Sequence, residues 1–396
     1  MLTGKTIVLG VTGSIAAYKI ANLASMLVKL NADVHVIMTQ NATHFITPMT
    51  FETLTNNKCI VDTFDRNFNF DVKHVSLAKK GDLFLVAPCT ANVIGKVAGG
   101  ICDDMLTTTI MATKAPVLFS PAMNTGMWEN PILQDNLQKL KHYGYHIIEP
   151  VEGRLACGDI GSGKMPSEEV LLEHILLHLA KDKDLKGKKI LVTAGPTQEA
   201  IDPVRFISNR SSGKMGYALA KMAVLRGAEV TLVSGPVGIQ PFAGIRKIAV
   251  RSAQEMFEAV TSRSAEHDVI IMCSAVADYK PAVYADQKVK KRDDDMSIPL
   301  TRTQDILGYL GEHKQQGQLL VGFSMETENL IENSRKKLMK KQADLICANS
   351  ISEAETGFAV DTNKVTLIST KEVKQLPLCS KEETADLILS AIKDYM

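Results

Sequence analysis

This chain of 396 residues lacks several features that identify common classes of protein. Its formal net charge is only +1, so no overall field favours binding to nucleic acid or to an anionic membrane. No apolar run approaches the roughly 18 residues of a membrane-spanning helix, and the N-terminal segment does not resemble a secretory signal. The seven cysteines include no CxxC pair, which argues against a zinc site or a disulfide framework. These absences predict a cytoplasmic protein that binds neither nucleic acid nor membrane.

Short apolar strands alternate with amphipathic helices along the sequence, a pattern typical of an α/β fold with parallel sheets. The segments LTGKTIVLGVTG (2–13) and LKGKKILVTAGP (185–196) begin alike, with Leu-x-Gly-Lys ahead of an apolar strand. The charged stretch AKDKDLKGKK (180–189) leads into the second segment and indicates a linker. We therefore predict two Rossmann-like, doubly wound parallel-sheet domains in tandem, covering residues 1–184 and 185–396.

Two familiar nucleotide-binding signatures are missing from these halves. The turn TGSIAAYK (12–19) is not a GxGxxG sequence, and the second strand has no acidic residue to hold an NAD ribose. The loop FISNRSSGKMGYALA (206–220) lacks the first glycine and the Gly-Lys-Ser or Gly-Lys-Thr ending of a Walker A sequence. A two-domain nicotinamide dehydrogenase therefore stays only as an alternative, which flavin absorbance of the purified protein would set aside.

Polar side chains follow three predicted strands of the first half, at the edge where open parallel sheets bind ligands. Backbone amides at the helix starts after these strands favour a phosphate, and the hydroxyls and amides around them fit a phosphate-terminated mononucleotide. Ordinary helix capping would explain any one of these turns, but three in succession favour a ligand. The residues concerned are Gly13, Ser14, Ile15, Thr39, Thr90 and Asn92.

Several longer motifs resemble known enzyme families. TGSIAAYK, APCTANVIGKVAGGICDDMLTT and PAMNTGMW are similar to the flavin-containing cysteine decarboxylases, whose flavin is FMN. ACGDIGSGKMP (156–166) resembles the substrate flap of phosphopantothenoylcysteine decarboxylases, and the second half resembles phosphopantothenate–cysteine ligases throughout. The resemblance implies an enzyme of coenzyme A biosynthesis with two reactions. The C-terminal domain would activate 4′-phosphopantothenate with CTP as an acyl-CMP and couple it to L-cysteine, and the N-terminal domain would decarboxylate the product to 4′-phosphopantetheine.

By this resemblance, His74, Asn124 and Cys157 are catalytic residues of the decarboxylase, and Met127 lies on the FMN and substrate side of the site. An asparagine amide has two donors and a carbonyl with which to hold a carboxylate and an amide of the substrate. A neutral imidazole can accept a thiol proton near physiological pH. Without the resemblance, a proline-bracketed turn with a core methionine and a surface histidine would be the simpler interpretation.

Cys157 lies among four glycines, which predicts a mobile flap that delivers the thiol as proton donor. A buried, inert cysteine is the alternative, and it is less expected in so glycine-rich a segment. Lys164 and Ser167 stand where the family usually has Arg and Glu, which leaves the contacts of the flap open. Cys89 and Cys102 also replace small residues, and we expect packing roles for both.

The ligase reaction needs cations that face phosphates and a site for the nucleotide base. By resemblance, Asn209 contacts the acyl-nucleotide and Lys288 is a catalytic cation, although a solvated surface is the simpler interpretation of the charged run 286–295. Ser212 and its neighbours would face phosphates, with simple helix capping as the alternative. The resemblance also assigns CTP contacts to Ser274, Asp278, Asp305, Phe323, Lys337 and Lys341.

The cofactors and assembly follow from the family rather than from the residues. CTP instead of ATP is implied by the fused form of the enzyme, and Mg²⁺ would be held largely by the triphosphate. Trimeric decarboxylase domains and dimeric ligase domains would combine into a homododecamer. A flavin-binding regulatory protein without catalysis is a further alternative, but it predicts the loss of His74, Asn124 or Cys157, and all three are present.

Overall fold

The computed structural model describes residues 2–64, 73–290, 296–326, 328–350 and 362–396. The chain divides into two compact units, Met1–Lys181 and Asp182–Met396. In the part of the chain so described, none of the helices has the length and apolar character needed to cross a bilayer.

The first unit contains a parallel sheet, an exposed hairpin and eight helices within its described residues. Its strands are β1 (Thr6–Val11), β2 (Asp33–Met38), β3 (Leu83–Cys89), β4 (Val117–Pro121), β5 (His146–Ile147), β6 (Val151–Arg154) and β7 (Ile160–Lys164). Its helices are α1 (Ala17–Lys29), α2 (Pro48–Thr55), α3 (Lys73–Lys80), α4 (Ala91–Gly99), α5 (Met105–Ala112), α6 (Thr125–Trp128), α7 (Pro131–His142) and α8 (Glu168–Leu179), with a short 3-10 helix at Gln40–His44.

The order of the first sheet is β2-β1-β3-β4-β5, with every neighbouring pair parallel. Strands β1 and β3 are buried along their whole length because helices cover both faces of the sheet, and their sequences are correspondingly apolar throughout. On α1, Ile20, Leu23 and Leu27 are buried at helical spacing and face the sheet. The chain crosses from β1 to β2 on one side and to β3 on the other, so the loops after β1 and β3 meet at one edge.

The second unit has a larger, mixed sheet. Its strands are β8 (Lys189–Ala194), β9 (Gln198–Ala200), β10 (Phe206–Ser208), β11 (Glu229–Ser234), β12 (Ile245–Ala249), β13 (Val269–Met272), β14 (Tyr279–Pro281), β15 (Leu300–Arg302), β16 (Leu319–Glu326), β17 (Leu345–Ser350), β18 (Thr362–Asn363), β19 (Val365–Ile368), β20 (Val373–Gln375) and β21 (Cys379–Ser380). Its helices are α9 (Lys214–Leu225), α10 (Ala253–Ser264), α11 (Ile306–Glu312), α12 (Leu330–Lys340) and α13 (Lys381–Lys393).

The main sheet of this unit has the order β12-β11-β8-β13-β16-β17-β19-β20. The six strands from β12 to β17 are parallel, whereas β19 and β20 continue the sheet antiparallel. The strand order reverses between β8 and β13, and such a reversal creates the crevice where open α/β sheets bind ligands.

The predicted α/β fold with doubly wound parallel sheets is confirmed, with two differences of detail. The antiparallel strands β19 and β20 were not expected, because they are short and lack the repeating strand-helix pattern. Cys89 is buried as predicted, but Cys102 is exposed, so the packing role expected for it is wrong. Its thiol lies in an irregular turn and donates only to the carbonyl of Gly100, at 3.7 Å.

Candidate functional site

Four helices that follow strand ends begin without a side-chain cap within the described residues: α1 and α4 in the first unit, and α9 and α12 in the second; α1, α4 and α9 are the three that the predicted ligand residues precede. The capping role considered for Ser14, Thr90 and Ser212 is therefore not what the structure shows. Ser14 Oγ accepts from the backbone N–H of Ala16, at 3.4 Å and ahead of the helix. Because the first backbone amides of a helix need acceptors, these three starts are suited to an anionic ligand.

Two hydroxyl groups near the carboxyl edge of the first sheet are buried and unsatisfied. Thr39 Oγ1, after β2, and Ser120 Oγ, in β4, find no hydrogen-bond partner among the described residues. The backbone of Thr39 is fixed, since its N–H donates to the carbonyl of Val11 at 3.0 Å. A buried hydroxyl without a partner is unfavourable, so a ligand with polar groups at this edge would satisfy both.

The first unit also contains a cavity of about 340 Å³, and neither Thr39 nor Ser120 is among the residues that line it. It brings together four of the predicted residues: Ser14, Ile15, Asn124 and Cys157. Three basic side chains also line it, namely Lys19, Arg154 and Lys164, and the described lining contains no carboxylate. The cavity therefore favours an anionic ligand that reaches from the start of α1 to a thiol.

Asn124 has a more restricted role than its amide would allow in isolation. Its Oδ1 accepts from the backbone N–H of Met127 at 2.8 Å and so caps the short helix α6. One acceptor position of the carbonyl, which we expected to contact the substrate, is thus occupied, whereas no hydrogen bond is described for the Nδ2 donors. Two donors on one nitrogen suit a carboxylate, so the predicted carboxylate contact is still available to this residue.

The segment with Cys157 is a hairpin that packs against the loop containing Asn124. We name β6, β7 and the turn 155–159 between them the flap hairpin. Met123 N–H donates to Gly163 O at 3.0 Å, and Thr125 Oγ1 donates to Ser162 O at 3.0 Å. Gly163 has a φ of +122°, and a Cβ there would lie 2.4 Å from the carbonyl oxygen of Met123. Only glycine permits this close approach without strain.

Cys157 itself lies at the exposed tip of the flap hairpin, where its thiol donates to Asp159 Oδ2 at 3.3 Å. The tip is held by backbone bonds from Leu155 N to Asp159 O, at 2.8 Å, and from Gly158 N to Leu155 O, at 3.0 Å. The thiol is therefore accessible and has a hydrogen-bond acceptor beside it. This arrangement differs from the buried, inert cysteine that was the alternative.

The remaining predicted residues of the first unit lie outside this cavity. Gly13, Thr39, Thr90 and Asn92 follow β1, β2 and β3 but are not among the lining residues. Met127 is 46% exposed and does not line the cavity, so within one chain it forms no apolar wall there.

His74 is half-buried on the first turn of α3 and is also absent from the lining. One copy of the chain thus brings Asn124 and Cys157 to a common cavity but does not bring His74 to it.

A second cavity, of about 160 Å³, lies in the second unit around the start of α9. Of the predicted residues, Ser274 and Phe323 line it, together with Ser211, Ser212 and Gly213. Thr193 Oγ1 accepts from the backbone N–H groups of Cys273 and Ser274, at 3.0 and 3.1 Å, which fixes the loop after β13. Phe323 lies within β16, which runs on to Glu326.

Two polar atoms in this second cavity are buried without a partner among the described residues. They are Ser274 Oγ, after the end of β13, and Asn349 Oδ1, near the end of β17; β16 lies between these two strands. Lys381 is buried and lines the same cavity. The arrangement again combines uncapped helix amides, a cation and unsatisfied polar groups.

A separate charged cluster lies near Phe323. The ammonium group of Lys337 donates to the Phe323 carbonyl at 2.8 Å. Burial lowers the pKa of Lys337, while the nearby carboxylates of Glu326, Asp278 and Asp305 act in the opposite direction. The structure thus brings Asp278, Asp305 and Lys337 within electrostatic reach of one another.

Asp305 and Lys341 form an ion pair, and Asp305 also caps α11 through Gly308 N–H at 3.0 Å. Partial burial would raise the pKa of Asp305, but the Lys341 ammonium and the Gly308 amide outweigh it and hold the pKa below its usual value. Lys341 is therefore paired inside the protein rather than presented free to a triphosphate.

Asn209 and Lys288 lie on two loops of the second unit outside this cavity. Asn209 Nδ2 donates to the carbonyls of Ala275 and Val276, at 3.0 and 3.3 Å, directly after Ser274. Lys288 is exposed, and the adjacent Val289 N–H donates to the buried carboxylate of Asp202 at 3.1 Å. Neither residue lines the second cavity.

Sequence reasoning missed several residues of both cavities. Asn349 lies near the carboxyl end of the parallel strand β17, so the rule that ligands gather at carboxyl ends could have included it. Lys19 lies on the motif TGSIAAYK, but a helical lysine is usually solvated and gave no signal. Lys381 and Arg154 reach their cavities through tertiary contacts that no local pattern reveals.

Comparison with known proteins matches both halves of the chain. Residues 1–179 match the family described as Flavoprotein, and residues 185–396 match the family described as DNA/pantothenate metabolism flavoprotein C-terminal domain. The coenzyme A biosynthesis bifunctional protein CoaBC of Bacillus subtilis (strain 168) is 46% identical over 396 residues, covering 99% of this chain and 97% of that protein.

Solved structures match each half separately. The C-terminal domain of a coenzyme A biosynthesis bifunctional protein CoaBC has 47% sequence identity and a TM-score of 0.47, covering 54% of this chain and 97% of that one. A PPC decarboxylase mutant complexed with pantothenoylaminoethenethiol has 30% identity and a TM-score of 0.40, covering 45% of this chain and 99% of that one.

Proposed function

The chain belongs to the CoaBC family of bifunctional coenzyme A biosynthesis proteins, and from this membership we propose how its two halves divide the work. It is a bifunctional enzyme with decarboxylase and ligase activities. Residues 185–396 form the ligase, which activates 4′-phosphopantothenate with CTP as an acyl-CMP and joins it to L-cysteine. Residues 1–184 form the flavin-dependent decarboxylase, which converts 4′-phosphopantothenoylcysteine to 4′-phosphopantetheine.

One observation carries the decarboxylase proposal: a single cavity is lined by the start of α1, by Asn124 and by Cys157. The Nδ2 donors of Asn124 bind the cysteinyl carboxylate of the substrate, next to a cavity wall without carboxylates. The flap hairpin covers the substrate from the other side and brings the Cys157 thiol to it. Cys157 then gives its Sγ proton to the substrate carbon after carbon dioxide has left, and Asp159 orients the thiol through its 3.3 Å hydrogen bond.

The residues present fit a flavin mononucleotide. The uncapped backbone amides at the starts of α1 and α4 would hold its phosphate. The unsatisfied hydroxyls of Thr39 and Ser120 would form hydrogen bonds with its other polar groups. When bound, the flavin supplies the two-electron redox chemistry that turns the substrate thiol into an electron sink for decarboxylation. FMN rather than a dinucleotide is supported by the absence of a GxGxxG turn at residues 12–19.

In the ligase, the second cavity and the charged cluster serve different parts of the reaction. CTP binds at the charged cluster, which consists of Asp278, Asp305, Lys337 and Lys341. Asn209 and Ser274 hold the acyl group between this cluster and the second cavity. Lys288 approaches from its exposed loop and neutralises the triphosphate as pyrophosphate leaves. Mg²⁺ enters with CTP, held largely by the triphosphate, and no group of three acidic, His or Cys ligands forms within the described residues.

Oligomerisation completes the first site. Ile15 and Tyr18, beside the first cavity, are 56% and 60% exposed, and a neighbouring copy would cover them. We assign to that neighbour the His74 that this chain does not bring to its own cavity. Trimers of the first unit and dimers of the second combine into a dodecamer. Co-expression of His74→Asn and Cys157→Ser chains in one cell should restore formation of 4′-phosphopantetheine, which neither variant makes alone, because some shared sites of the mixed oligomers then contain both wild-type residues.

A coupled assay tests the two activities together. Purified protein receives 4′-phosphopantothenate, L-cysteine, CTP and Mg²⁺, and released carbon dioxide is measured. We expect release that depends on CTP, and release without CTP when preformed 4′-phosphopantothenoylcysteine is supplied. A protein that consumes CTP but releases no carbon dioxide would contradict the assignment of the decarboxylase to residues 1–184. A protein that releases carbon dioxide only from the preformed substrate would contradict the assignment of the ligase to residues 185–396.

A further inference from the structure

Asp202 is a buried carboxylate to which the proposed reaction gives no role. It is only 2% exposed and lies in the turn 201–205, which joins β9 to β10. Its Oδ1 accepts from the backbone N–H groups of Val204 and Arg205, both at 2.8 Å. Its Oδ2 accepts from the N–H of Val289 at 3.1 Å, 87 residues further along the chain. One oxygen of the carboxylate thus serves its own turn, and the other binds a distant loop.

The guanidinium group of Arg205 binds the same loop residue from its other side. Arg205 Nη2 donates to the carbonyl of Val289, and Arg205 Nε lies 3.2 Å from Asp202 Oδ2 in an ion pair. The N–H of Ala285 also donates to the carbonyl of Ile201, at 3.0 Å. The loop is therefore bound to the turn at two points. We name the contacts of Asp202 and Arg205 with Val289 the Asp202 clasp.

The clasp depends on the charge of Asp202 as well as on its shape. Burial would raise the pKa of Asp202, but hydrogen bonds from the backbone N–H groups of Val204, Val289 and Arg205 outweigh it and hold the pKa below its usual value. A carboxylate has acceptors on both oxygens, so it can serve all three N–H groups at once. An asparagine has one acceptor oxygen and would present its amide nitrogen to at least one of these donors.

The clasp joins the two loops that carry the proposed ligase residues Asn209 and Lys288. Lys288 directly precedes Val289, and residues 282–290 belong to no helix or strand. Asn209 follows β10, a three-residue strand that begins directly after the turn 201–205. Three strand residues span roughly 10 Å, so a short hairpin connects the clasp to Asn209. The clasp thereby fixes the backbone beside Lys288 relative to the segment that ends in Asn209.

We propose that Asp202 is a positioning residue of the ligase, which holds the backbone beside Lys288 so that its ammonium group reaches the triphosphate. This inference rests on the ligase function and on the role of Lys288 proposed above. Asp202 contacts neither nucleotide nor acid and acts only through the loop. Without the clasp, the loop would still carry the cation but would present it over a wider range of positions, so fewer bound complexes would have the reactive geometry.

The first test is Asp202→Asn in the full-length enzyme. The amide oxygen can keep the two N–H groups of the turn, and the Nδ2 then faces the Val289 N–H, so the substitution opens the clasp selectively. We expect kcat for CTP-dependent pyrophosphate release to fall at least about tenfold, with KM for CTP within about twofold of wild type. The matched control is Asp286→Asn, which removes an equal charge from an exposed position of the same loop and should match wild type.

A double-mutant cycle distinguishes positioning from a merely structural role. If Asp202 acts through Lys288, adding Asp202→Asn to Lys288→Ala should lower kcat by no more than about twofold further. A structural role would lower kcat by the same factor in both backgrounds, and that result would overturn the proposal. A wild-type kcat in Asp202→Asn would overturn it as well.

A second readout follows the loop itself. Trypsin cleaves after lysine, and cleavage after Lys288 or Lys290 should be at least about tenfold faster in Asp202→Asn than in wild type or Asp286→Asn. Equal cleavage rates would show that Asp202 does not hold the loop. If Asp202→Asn does not fold, amide hydrogen exchange of the wild-type protein replaces it. The Val289 N–H should exchange at least about tenfold more slowly than those of Lys288 and Lys290, and equal rates would overturn the proposal.

The outcomes also separate this inference from the function on which it rests. A wild-type enzyme that releases no pyrophosphate from CTP in the presence of 4′-phosphopantothenate would overturn the ligase proposal itself. A Lys288→Ala variant with the kcat of wild type would overturn the role of Lys288, and the inference about Asp202 with it. A slow Lys288→Ala variant beside an unaffected Asp202→Asn variant would overturn only the role of Asp202.

Discussion

The buried hydroxyl of Thr12 accepts a hydrogen bond from the backbone N–H of Thr90, at 3.1 Å. The same hydroxyl donates to the carbonyl of Pro88 at 2.7 Å, so one side chain joins the loops that follow β1 and β3. The second unit uses a similar bond, in which Thr193 Oγ1 accepts from Ser274 N–H. In both units, a threonine at the end of the first strand positions the loop of a neighbouring strand beside the proposed ligand.

We expect Thr12→Val to loosen this edge of the first sheet. Valine keeps the shape of threonine but leaves Pro88 O and Thr90 N–H unsatisfied in a buried setting, which costs about 1–3 kcal/mol. The variant should unfold at lower temperature and should retain less flavin after gel filtration. Thr43→Val is the control, because that hydroxyl bonds to Gln40 O in an exposed turn. Equal flavin retention by both variants would contradict the role given to Thr12.

The architecture could be predicted from the sequence because it depends on local repetition. Each parallel strand is an apolar run followed by an amphipathic helix, and this alternation is visible in the sequence of both halves. The antiparallel strands β19 and β20 could not be predicted in the same way. They are short, and their pairing with β17 depends on a sheet edge that only the folded chain provides.

The candidate sites were predictable only in part, for a related reason. Asn124 and Cys157 stand in motifs that the sequence displays, and the structure places both at one cavity. That Asn124 also caps α6 depends on the geometry of one turn. Lys381 enters its cavity from a helix remote in sequence, and His74 lies outside the cavity formed by its own chain. Such relationships depend on tertiary or quaternary contacts, which motif spacing does not contain.

Substitution of Gly163 should separate the two activities. In Gly163→Ala, the new methyl group would meet Met123 O at 2.4 Å, so the flap hairpin must move away from the loop with Asn124. We expect decarboxylation to fall at least about tenfold, because small misplacements of a proton donor are costly. CTP-dependent ligation should be unchanged. Gly158→Ala is a matched control, since its φ of +96° is also positive but its Cβ would meet nothing within 4 Å.

Replacement of the flap thiol should stop the decarboxylase late in its cycle. In Cys157→Ser, the hydroxyl is a much weaker acid than the thiol, so the final protonation should fail while carbon dioxide is still released. Mass spectrometry should detect a decarboxylated product that is two hydrogens short of 4′-phosphopantetheine. Before substrate is added, the flavin spectrum of the variant should match that of wild type. The control is Cys102→Ser, which alters the other exposed thiol of the first unit and should turn over as wild type does. Normal turnover by Cys157→Ser would exclude Cys157 as the proton donor.

The ion pair between Asp184 and Arg226 should make the second unit sensitive to acid. Hydrogen bonds from Arg226, chiefly, and from Lys393 hold the pKa of Asp184 at about 2, below its ordinary 3.8. Because the folded-state pKa is lowered, the stabilisation is present above about pH 4 and is lost as pH falls toward 2. After allowance for solvent screening it is about 1 kcal/mol. The urea midpoints of wild type and Asp184→Asn should therefore differ at neutral pH and converge below pH 4, whereas exposed Asp182→Asn should show no such trend.

Lys288 provides the test of separate sites for the two reactions. Its side chain is exposed, and Val289 beside it is bound to Asp202, so removing the ammonium should leave the loop in place. If Lys288 neutralises charge as pyrophosphate leaves, Lys288→Ala should lower kcat for CTP-dependent ligation by about 100-fold or more, with little change in KM for CTP. Preformed 4′-phosphopantothenoylcysteine should still be decarboxylated at the wild-type rate. Lys290→Ala, an exposed lysine two residues away, should leave both activities intact. Equal effects of Lys288→Ala and Lys290→Ala would show that the total charge of the segment 286–295 matters, and not the position of Lys288. Loss of decarboxylation in Lys288→Ala would show that the two sites are not independent.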